Sequence, residues 1–234
     1  MNNAAPGRRN LIVAGVIVVV LAIVIGVGWA IQANRDTTGD KGKTPGDSNS
    51  TLASAPIAPV DTYGLGVGEA AAKAKVEIFE DFQCPHCKDF EEASREQLRA
   101  LAEDGKALVV YRPMAFLNEY SVKAMNAFGA VIDAGDGSAA LALHDALFAD
   151  QPAGEIPSDD WFVERAQAAG ADEAEVRDAI TGMEFQQWVV NGTDDASKRG
   201  VTGTPTVFVN GKQVEANTIE ALLEATVQAV NAAQ

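Results

Sequence analysis

The chain contains two cysteines, which lie three positions apart in Cys84-Pro85-His86-Cys87. Two thiols at this spacing can close a small disulfide ring and reopen it by exchange with another thiol. The thiolate is the attacking species in this exchange, so a site that stabilises an anion at one sulfur makes that cysteine reactive. The motif therefore predicts thiol–disulfide redox chemistry, with Cys84 as the attacking thiol and Cys87 as the resolving thiol.

The flanking segments predict a strand before the motif and a helix after it. The run 76–82 is rich in apolar and β-favouring residues, which is typical of a largely buried strand. Beyond the motif, a helical stripe recurs at steps of three and four, at Phe90, Ser94, Leu98 and Leu101. Cys84 should therefore stand at a helix N-terminus, where unpaired N–H groups and the helix dipole stabilise a thiolate and lower the pKa of the thiol.

The two residues between the cysteines fit the same arrangement. Pro85 suits the first helical position, because its missing N–H would be unpaired there in any case. His86 can add positive charge beside the Cys84 sulfur. Cys87 lies one turn further into the helix, where we expect it to be shielded from solvent.

A structural disulfide and half of a zinc site are alternative interpretations of the motif. A disulfide across two intervening residues closes a very short loop, for which the chain-entropy model gives much less stabilisation than the ~3 kcal/mol of a loop of about 15 residues. A structural zinc site needs four ligands, whereas the chain offers these two thiols and two histidines, one of which is His86 inside the loop itself. We therefore expect redox chemistry, with no metal and no cofactor.

A long apolar run near the N-terminus predicts a transmembrane anchor. Residues 11–31 contain no charged side chain, and as a helix they would span about 31 Å, close to one bilayer core. Arg8 and Arg9 precede the run, whereas the basic residues after it are interleaved with acidic ones. The positive-inside bias then places residues 1–10 in the cytoplasm and the catalytic part outside it, on a single-pass protein of the cell membrane.

A cleaved signal peptide is the alternative for this segment. Signal peptides usually have an apolar region of about 7 to 15 residues, which is shorter than this run. Either interpretation exports the domain to a compartment such as the periplasm, where disulfides persist.

The remainder of the chain is predicted to be a linker followed by one domain. The stretch from 32 to about 54 is almost free of apolar residues and cannot bury enough surface to fold, so we place a flexible linker at 32–58 and the domain at 59–234. The ordered part should start within 55–60. The net charge of −15 argues against nucleic-acid binding, because no basic stripe is present to neutralise phosphates.

The order of elements after the motif predicts the fold class. Residues 107–111 indicate a second buried strand, parallel to the first. Helical periods then fill a segment from about 114 to 200, Asn210-Gly211 between apolar runs predicts a hairpin, and residues 219–230 predict a last helix. A βαβ unit with Cys-x-x-Cys at its first helix and a later ββα unit predicts an α/β, thioredoxin-like fold with an inserted helical subdomain, preceded by one N-terminal transmembrane helix.

The sequence resembles the DsbA-like branch of the thioredoxin superfamily, the exported thiol–disulfide oxidoreductases, over about residues 60–234. The resemblance rests on the helical insert and on two motifs, Phe79-Glu80-Asp81-Phe82-Gln83-Cys84-Pro85-His86-Cys87 and Gly203-Thr204-Pro205-Thr206. It implies that the Thr204–Pro205 bond is cis and lies against the Cys84 sulfur, at the place where substrate binds. It also implies exported protein thiols and disulfides as substrates, and a membrane oxidase of the DsbB or VKOR type as the partner that restores the disulfide.

Two positions depart from the family pattern. Thioredoxins and the best-known DsbA carry an acidic residue six positions before the first cysteine, where this chain has Ile78. Glu80 is then the candidate proton relay, in which it would be a buried base that acts through water. The alternative is that Glu80 is a solvated or salt-bridged carboxylate at the end of the strand. Thr204 stands where the best-known DsbA has Val, and Thr at this place also occurs in related isomerases.

We therefore expect a protein disulfide oxidoreductase outside the cytoplasm, acting as a dithiol oxidase on exported proteins through Cys84 and Cys87. A disulfide reductase or isomerase of the same fold is the nearest alternative, and it would be kept reduced outside the cell. A redox-independent peptide-binding or chaperone module is the alternative from another class, and the intact cysteine pair argues against it.

Overall fold

The computed structural model describes residues 42–46, 50–52 and 54–234. The predicted N-terminal segment 1–10 and the predicted anchor 11–31 lie outside the described residues, as does most of the predicted linker. Among the residues that are described, no helix combines the length and the apolar character that crossing a membrane requires.

One mixed sheet forms the centre of the domain. The described residues contribute seven strands to it, in the order β1-β2-β3-β5-β4-β6-β7. Their bounds are β1 Ser50–Leu52, β2 Ala55–Val60, β3 Gly64–Val67, β4 Ala74–Glu80, β5 Ala107–Pro113, β6 Thr206–Val209 and β7 Lys212–Val214. Strand β4 pairs in parallel with β5 and antiparallel with β6, so the strand that leads into the cysteine motif lies between the two.

The sheet begins earlier in the chain than the predicted domain boundary at 59. Strand β1 and the first four residues of β2 fall inside the segment 32–58 that we expected to be a linker, and Ile57 is 1% exposed. Strand β2 is held between β1 and β3, with Ile57 opposite Val67. A short proline-containing run such as 55–60 is a weak strand signal by itself, and these neighbours supply its hydrogen bonds and its burial.

Helices cover the sheet and form the insert. Their bounds are α1 Pro85–Glu103, α2 Glu119–Asp133, α3 Gly137–Ala149, α4 Asp159–Ala168, α5 Glu173–Thr181, α6 Gln186–Lys198 and α7 Ile219–Ala232. Helices α2 to α6 make up the helical insert predicted at about 114–200. The stripe predicted for α1 is buried, as expected for the face of an amphipathic helix that packs on a sheet.

The C-terminal hairpin has the predicted turn. Asn210 and Gly211 both have positive φ, at 51° and 77°, the conformation that a two-residue type I′ turn needs. The hairpin presents β6 to β4 with Thr206 opposite Phe79. This register brings the loop before β6, which contains Thr204 and Pro205, alongside the loop that leads from β4 to the cysteines.

Candidate active site

The two cysteines occupy the start of helix α1. Cys84 is the N-cap residue, in an extended conformation, and Pro85 follows at the beginning of the helix. Both cysteines are free thiols, with residue exposures of 7% for Cys84 and 1% for Cys87. The Cys84 thiol, at the helix start, is therefore slightly accessible to solvent, whereas the Cys87 thiol, further into the helix, is not.

The pKa of Cys84 is lowered to about 5. The largest cause is a hydrogen bond with the Cys87 thiol, and burial of the sulfur opposes it. A hydrogen bond with Thr204 and the backbone amides of Cys87 and His86 lower the pKa further. The backbone amides of the first helical turn thus contribute to stabilising the Cys84 thiolate, as predicted for a helix N-terminus.

The pKa of Cys87 shifts in the opposite direction. Burial raises it well above its ordinary value, and the neighbouring Cys84 raises it further. One thiol of the pair is therefore ionised near neutral pH, while the other holds its proton. A site of this kind can release one sulfur as an anion during disulfide exchange while the other remains protonated.

The ring of His86 lies at the protein surface, beside Asp89. The His86 side chain is 72% exposed, and Nδ1 lies 3.8 Å from a carboxylate oxygen of Asp89 in the next turn. The contribution of this residue to the Cys84 pKa comes from its backbone amide. The imidazole is placed to meet a molecule that approaches from solvent.

The loop before β6 contacts the Cys84 sulfur. The Cys84 thiol donates to the carbonyl oxygen of Thr204 at 3.4 Å, and the Thr204–Pro205 bond is cis, as the resemblance implies. The Thr204 hydroxyl is buried and has no hydrogen-bond geometry to another group of the described chain. It is therefore available as a donor once Cys84 ionises and the thiol can no longer donate.

Asp81 holds the loop that leads into the motif. Its fully buried carboxylate accepts hydrogen bonds from the Gln83 amide (2.8 Å), the Ser121 hydroxyl (2.5 Å) and the amides of Phe116 and Leu117 (3.0 and 3.3 Å). These four donors offset the cost of removing a carboxylate from water. They also tie the loop to the insert, a role that sequence reasoning did not assign to Asp81.

The end of helix α3 closes over the same loop. Gln151 donates through Nε2 to the carbonyl oxygens of Phe82 (2.7 Å) and Cys84 (3.1 Å), and Lys88 donates to the carbonyl oxygen of Ala149 at 2.9 Å. Sequence reasoning missed Gln151, because a lone glutamine after a helix carries no signal of a partner 67 positions earlier.

Glu80 is buried at the end of β4. Its Oε1 lies 2.6 Å from Nε2 of His144 in α3. Ile78, which occupies the position of the family's acidic residue, lies two residues earlier on the same face of the strand. The buried carboxylate of this chain is therefore displaced by two residues along β4 from its place in the family pattern. Among the polar contacts of the described residues, those of Glu80 include neither cysteine sulfur, so its relay role stays a prediction.

Two open surfaces lie near the motif. A cavity of about 600 Å³ borders Pro205 and is lined on its hairpin side by Thr206, Gln213 and Asn217, among others. Phe116 and Leu117, whose amides are held by Asp81, are 48% and 46% exposed. A polar groove thus lies beside Pro205, and an exposed apolar loop is held by Asp81, three residues before Cys84.

Comparison with known proteins identifies the family and the fold. The sequence profile of the thioredoxin family matches residues 61–228 of this chain. The oxidised DsbA of Mycobacterium tuberculosis superposes with a TM-score of 0.60 at 28% identity, covering 79% of this chain and 93% of that one. Reduced DsbG, a disulfide bond oxidoreductase of the same organism, has a TM-score of 0.61 at 27% identity, covering 80% and 91%.

A further similarity is to part of a much larger protein. The Na(+)/H(+) antiporter NhaA 1 of Salinispora arenicola is 32% identical over 166 residues, which are 69% of this chain and 24% of the antiporter. The chain therefore spans about a quarter of the length of the curated relatives it matches.

Proposed function

Because the chain belongs to the thioredoxin family and is a DsbA-like protein disulfide oxidoreductase, we propose that it is a dithiol oxidase acting on exported proteins through Cys84 and Cys87. The observation that carries the proposal is the opposite shift of the two thiol pKa values, down at Cys84 and up at Cys87. A thiolate that is stable in the reduced enzyme is a good leaving group and favours the reduced form, which makes the disulfide oxidising.

The proposed reaction moves two electrons from a substrate dithiol to the enzyme disulfide. A substrate thiolate attacks the Cys84 sulfur, the Cys84–Cys87 bond breaks, and Cys87 leaves and takes up a proton. A mixed disulfide now joins the substrate to Cys84. The second substrate thiolate attacks the substrate sulfur of that bond, which forms the substrate disulfide and releases Cys84 as a thiolate.

The direction of electron flow is tested by the reduction potential, measured by equilibration with glutathione. An oxidase should have a potential at or above that of protein disulfide isomerase, about −180 mV. A value near that of thioredoxin, about −270 mV, would overturn the oxidase proposal and favour the reductase. The measurement should be repeated on Thr204→Val, because Thr204 is the position at which the family resemblance includes isomerases.

The proposed substrates are extended segments of exported proteins. The groove beside Pro205 offers polar side chains to a peptide backbone, and the exposed Phe116 and Leu117 offer apolar contact. Reduced enzyme must be reoxidised for turnover, and we propose a membrane oxidase of the DsbB or VKOR type as the partner. The test is turnover of protein substrates in membranes that lack such an oxidase. Turnover should be lost in these membranes and restored when the oxidase is added.

The proposed location is the outer side of the cell membrane, with residues 11–31 as the anchor and residues 1–10 in the cytoplasm. Proteolysis of cells stripped of wall or outer membrane should remove the domain and leave a protected fragment of about 35 residues, because a helix of 21 residues is about 31 Å long. A soluble mature form that starts after Ala33 would identify the segment as a cleaved signal instead.

Glu80 remains the proposed proton relay to Cys87. Its carboxylate is buried and paired with His144, so transfer to the sulfur would need an intervening water. In Glu80→Gln, the rate of mixed-disulfide resolution should lose its pH dependence while Cys84 still ionises. An unchanged pH profile would remove Glu80 from the mechanism.

The partial match to an antiporter gives no support for ion transport by this chain.

A further inference from the structure

Three titratable side chains converge where β4, α1 and α3 meet behind the cysteine motif. Glu80 comes from β4, Glu91 from α1 and His144 from α3, and all three are buried, with exposures of 1%, 0% and 0%. One ligand atom from each lies within 4.8 Å of the other two. Residues this far apart in sequence meet here only because the insert packs against the sheet.

Several oxygens around this point have no hydrogen-bond partner within the described chain. They are both carboxylate oxygens of Glu91, Oε2 of Glu80 and the hydroxyl of Tyr111, whose ring lies 4.5 Å from that of His144. The Nε of Arg95 lies 3.9 Å from Oε2 of Glu91, beyond hydrogen-bonding distance. A buried carboxylate without hydrogen bonds is costly, so this group of donor atoms has unused capacity for a ligand.

We propose that Glu80, Glu91 and His144 bind one divalent transition-metal ion of the zinc type, so that Glu80 is available as a proton relay only in the metal-free protein. Carboxylate oxygen and imidazole nitrogen are both ordinary ligands of zinc, at about 2.0 to 2.2 Å. Ligand atoms around a tetrahedral zinc are therefore roughly 3.3 Å apart. To reach that spacing, the Glu80–His144 pair at 2.6 Å would open and the wider pairs, within 4.8 Å, would close, and the second oxygen of Glu91 would complete four ligands.

The surroundings of His144 match those of a histidine ligand. Its Nδ1 lies 3.3 Å from Oδ1 of Asp145, and Arg99 holds that carboxylate with two hydrogen bonds of 2.9 and 2.7 Å. A metal-bound histidine usually directs its other ring nitrogen to such a carboxylate, which fixes the tautomer and the orientation of the ring. Here this leaves Nε2 directed at Glu80, on the side where Glu91 lies.

The charges also balance for a divalent ion. Two buried carboxylates close together repel each other, and a cation between them offsets that repulsion. A dication that displaces the proton from His144 and lies between Glu80 and Glu91 gives a cluster of zero net charge. Our expectation of no metal considered the cysteine motif, with its thiols and imidazoles, whereas this site draws on carboxylates that only the fold assembles.

The test is zinc binding by the full-length chain in a mild detergent, with Cys84 and Cys87 oxidised to the disulfide so that no thiol can bind metal. The oxidised chain should retain one equivalent of zinc against a competing chelator, with calcium and magnesium as parallel probes. Glu91→Gln should weaken zinc binding at least ~10-fold, which is the lower end of the loss seen when even an outer partner of a metal ligand is removed. Glu92→Gln is the matched control, since that side chain is next in α1 and 59% exposed.

His86→Gln controls for the exposed histidine and should leave zinc affinity unchanged. Zinc binding that is absent from the oxidised chain, or equal in Glu91→Gln and Glu92→Gln, would overturn the proposal. If Glu91→Gln fails to fold, X-ray absorption at the zinc edge of the oxidised His86→Gln chain decides. Coordination by oxygen and one imidazole supports the site, and a fully hydrated ion overturns it.

Discussion

The Cys84 sulfur lies 3.4 Å from the carbonyl oxygen of Thr204, a residue 120 positions later in the chain. This contact joins the N-terminus of α1 to the loop before β6. The Thr204 hydroxyl, buried and without another partner in the described chain, belongs to the same contact region. The anion that forms at Cys84 is thus stabilised by two segments that meet only in the folded protein.

Removing the Cys87 thiol should raise the pKa of Cys84. In the reduced wild type that pKa is about 5, and the hydrogen bond with Cys87 is its largest cause. Cys87→Ala should raise it by about 1 to 2 units, because a hydrogen bond to a charged group is worth about 1.5 to 3 kcal/mol and one unit is ~1.36 kcal/mol. Thiolate absorbance measured against pH checks this. Cys87→Ser keeps a donor and should rise less, and equal pKa values in all three proteins would contradict the assignment.

Thr204→Val should also raise the Cys84 pKa, by about one unit, since it removes a hydroxyl donor while keeping the side-chain shape. Thr206→Val is the control, because the Thr206 hydroxyl donates to the carbonyl oxygen of Gly203 at 2.7 Å and not to the sulfur. The same titration serves for both variants. A rise in Thr206→Val as large as in Thr204→Val would show that local backbone disturbance, and not the lost donor, changes the pKa.

The reduced protein should gain stability with rising pH between about 5 and about 8.5. The Cys84 pKa is about 5 in the folded protein, and a thiol in an unfolded chain has a pKa of ~8.5. Between these values the folded chain carries the thiolate while the unfolded chain still binds the proton, so folding becomes more favourable as pH rises. The contribution is absent below about pH 5 and complete above about pH 8.5.

Urea unfolding of the reduced and oxidised forms at several pH values measures this difference. The free energy of unfolding of the reduced form, relative to the oxidised form, should increase through the window. Reduced Cys84→Ser lacks the thiolate and should lose the slope. A constant difference between the two redox forms would argue against a stabilised thiolate.

Asp81→Asn should destabilise the protein, because the amide loses the charge that strengthens four hydrogen bonds in a buried site. We expect a loss of about 2 to 3 kcal/mol in the free energy of unfolding, measured with urea. Asp89→Asn removes an exposed carboxylate from the same region and should change stability by less than about 0.5 kcal/mol. Equal effects of the two substitutions would mean that Asp81 does not hold the loop.

Phe116→Ser should slow oxidation of protein substrates more than reaction with a small thiol. The Phe116 side chain is 48% exposed, so its loss removes contact area from a bound peptide without opening the core. We expect a higher KM for a reduced peptide and an unchanged rate with a small thiol such as dithiothreitol. Equal losses with peptide and small thiol would place the effect at the sulfur and not at a docking surface.

The sequence alone determined the local features of this protein. Hydrophobic periodicity and turn residues act between near neighbours, so the strand before Cys84, the stripe of α1, the insert and the Asn210-Gly211 hairpin could all be predicted. The position of Cys84 at the start of α1 follows from the same local pattern. The family motifs added the cis bond at Pro205, which local patterns do not specify.

The tertiary structure decided which distant groups meet. Gln151 and the Thr204 carbonyl reach the motif only through the path of the insert and the hairpin, as do the donors that the insert supplies to Asp81, and no local pattern encodes that path. The same holds for β2, whose burial depends on the strands beside it. It holds most clearly for Glu80, which has no partner nearby in sequence and pairs with His144 when α3 packs against the sheet. A buried carboxylate is costly without a compensating group, and here the fold supplies that group from a distant part of the chain.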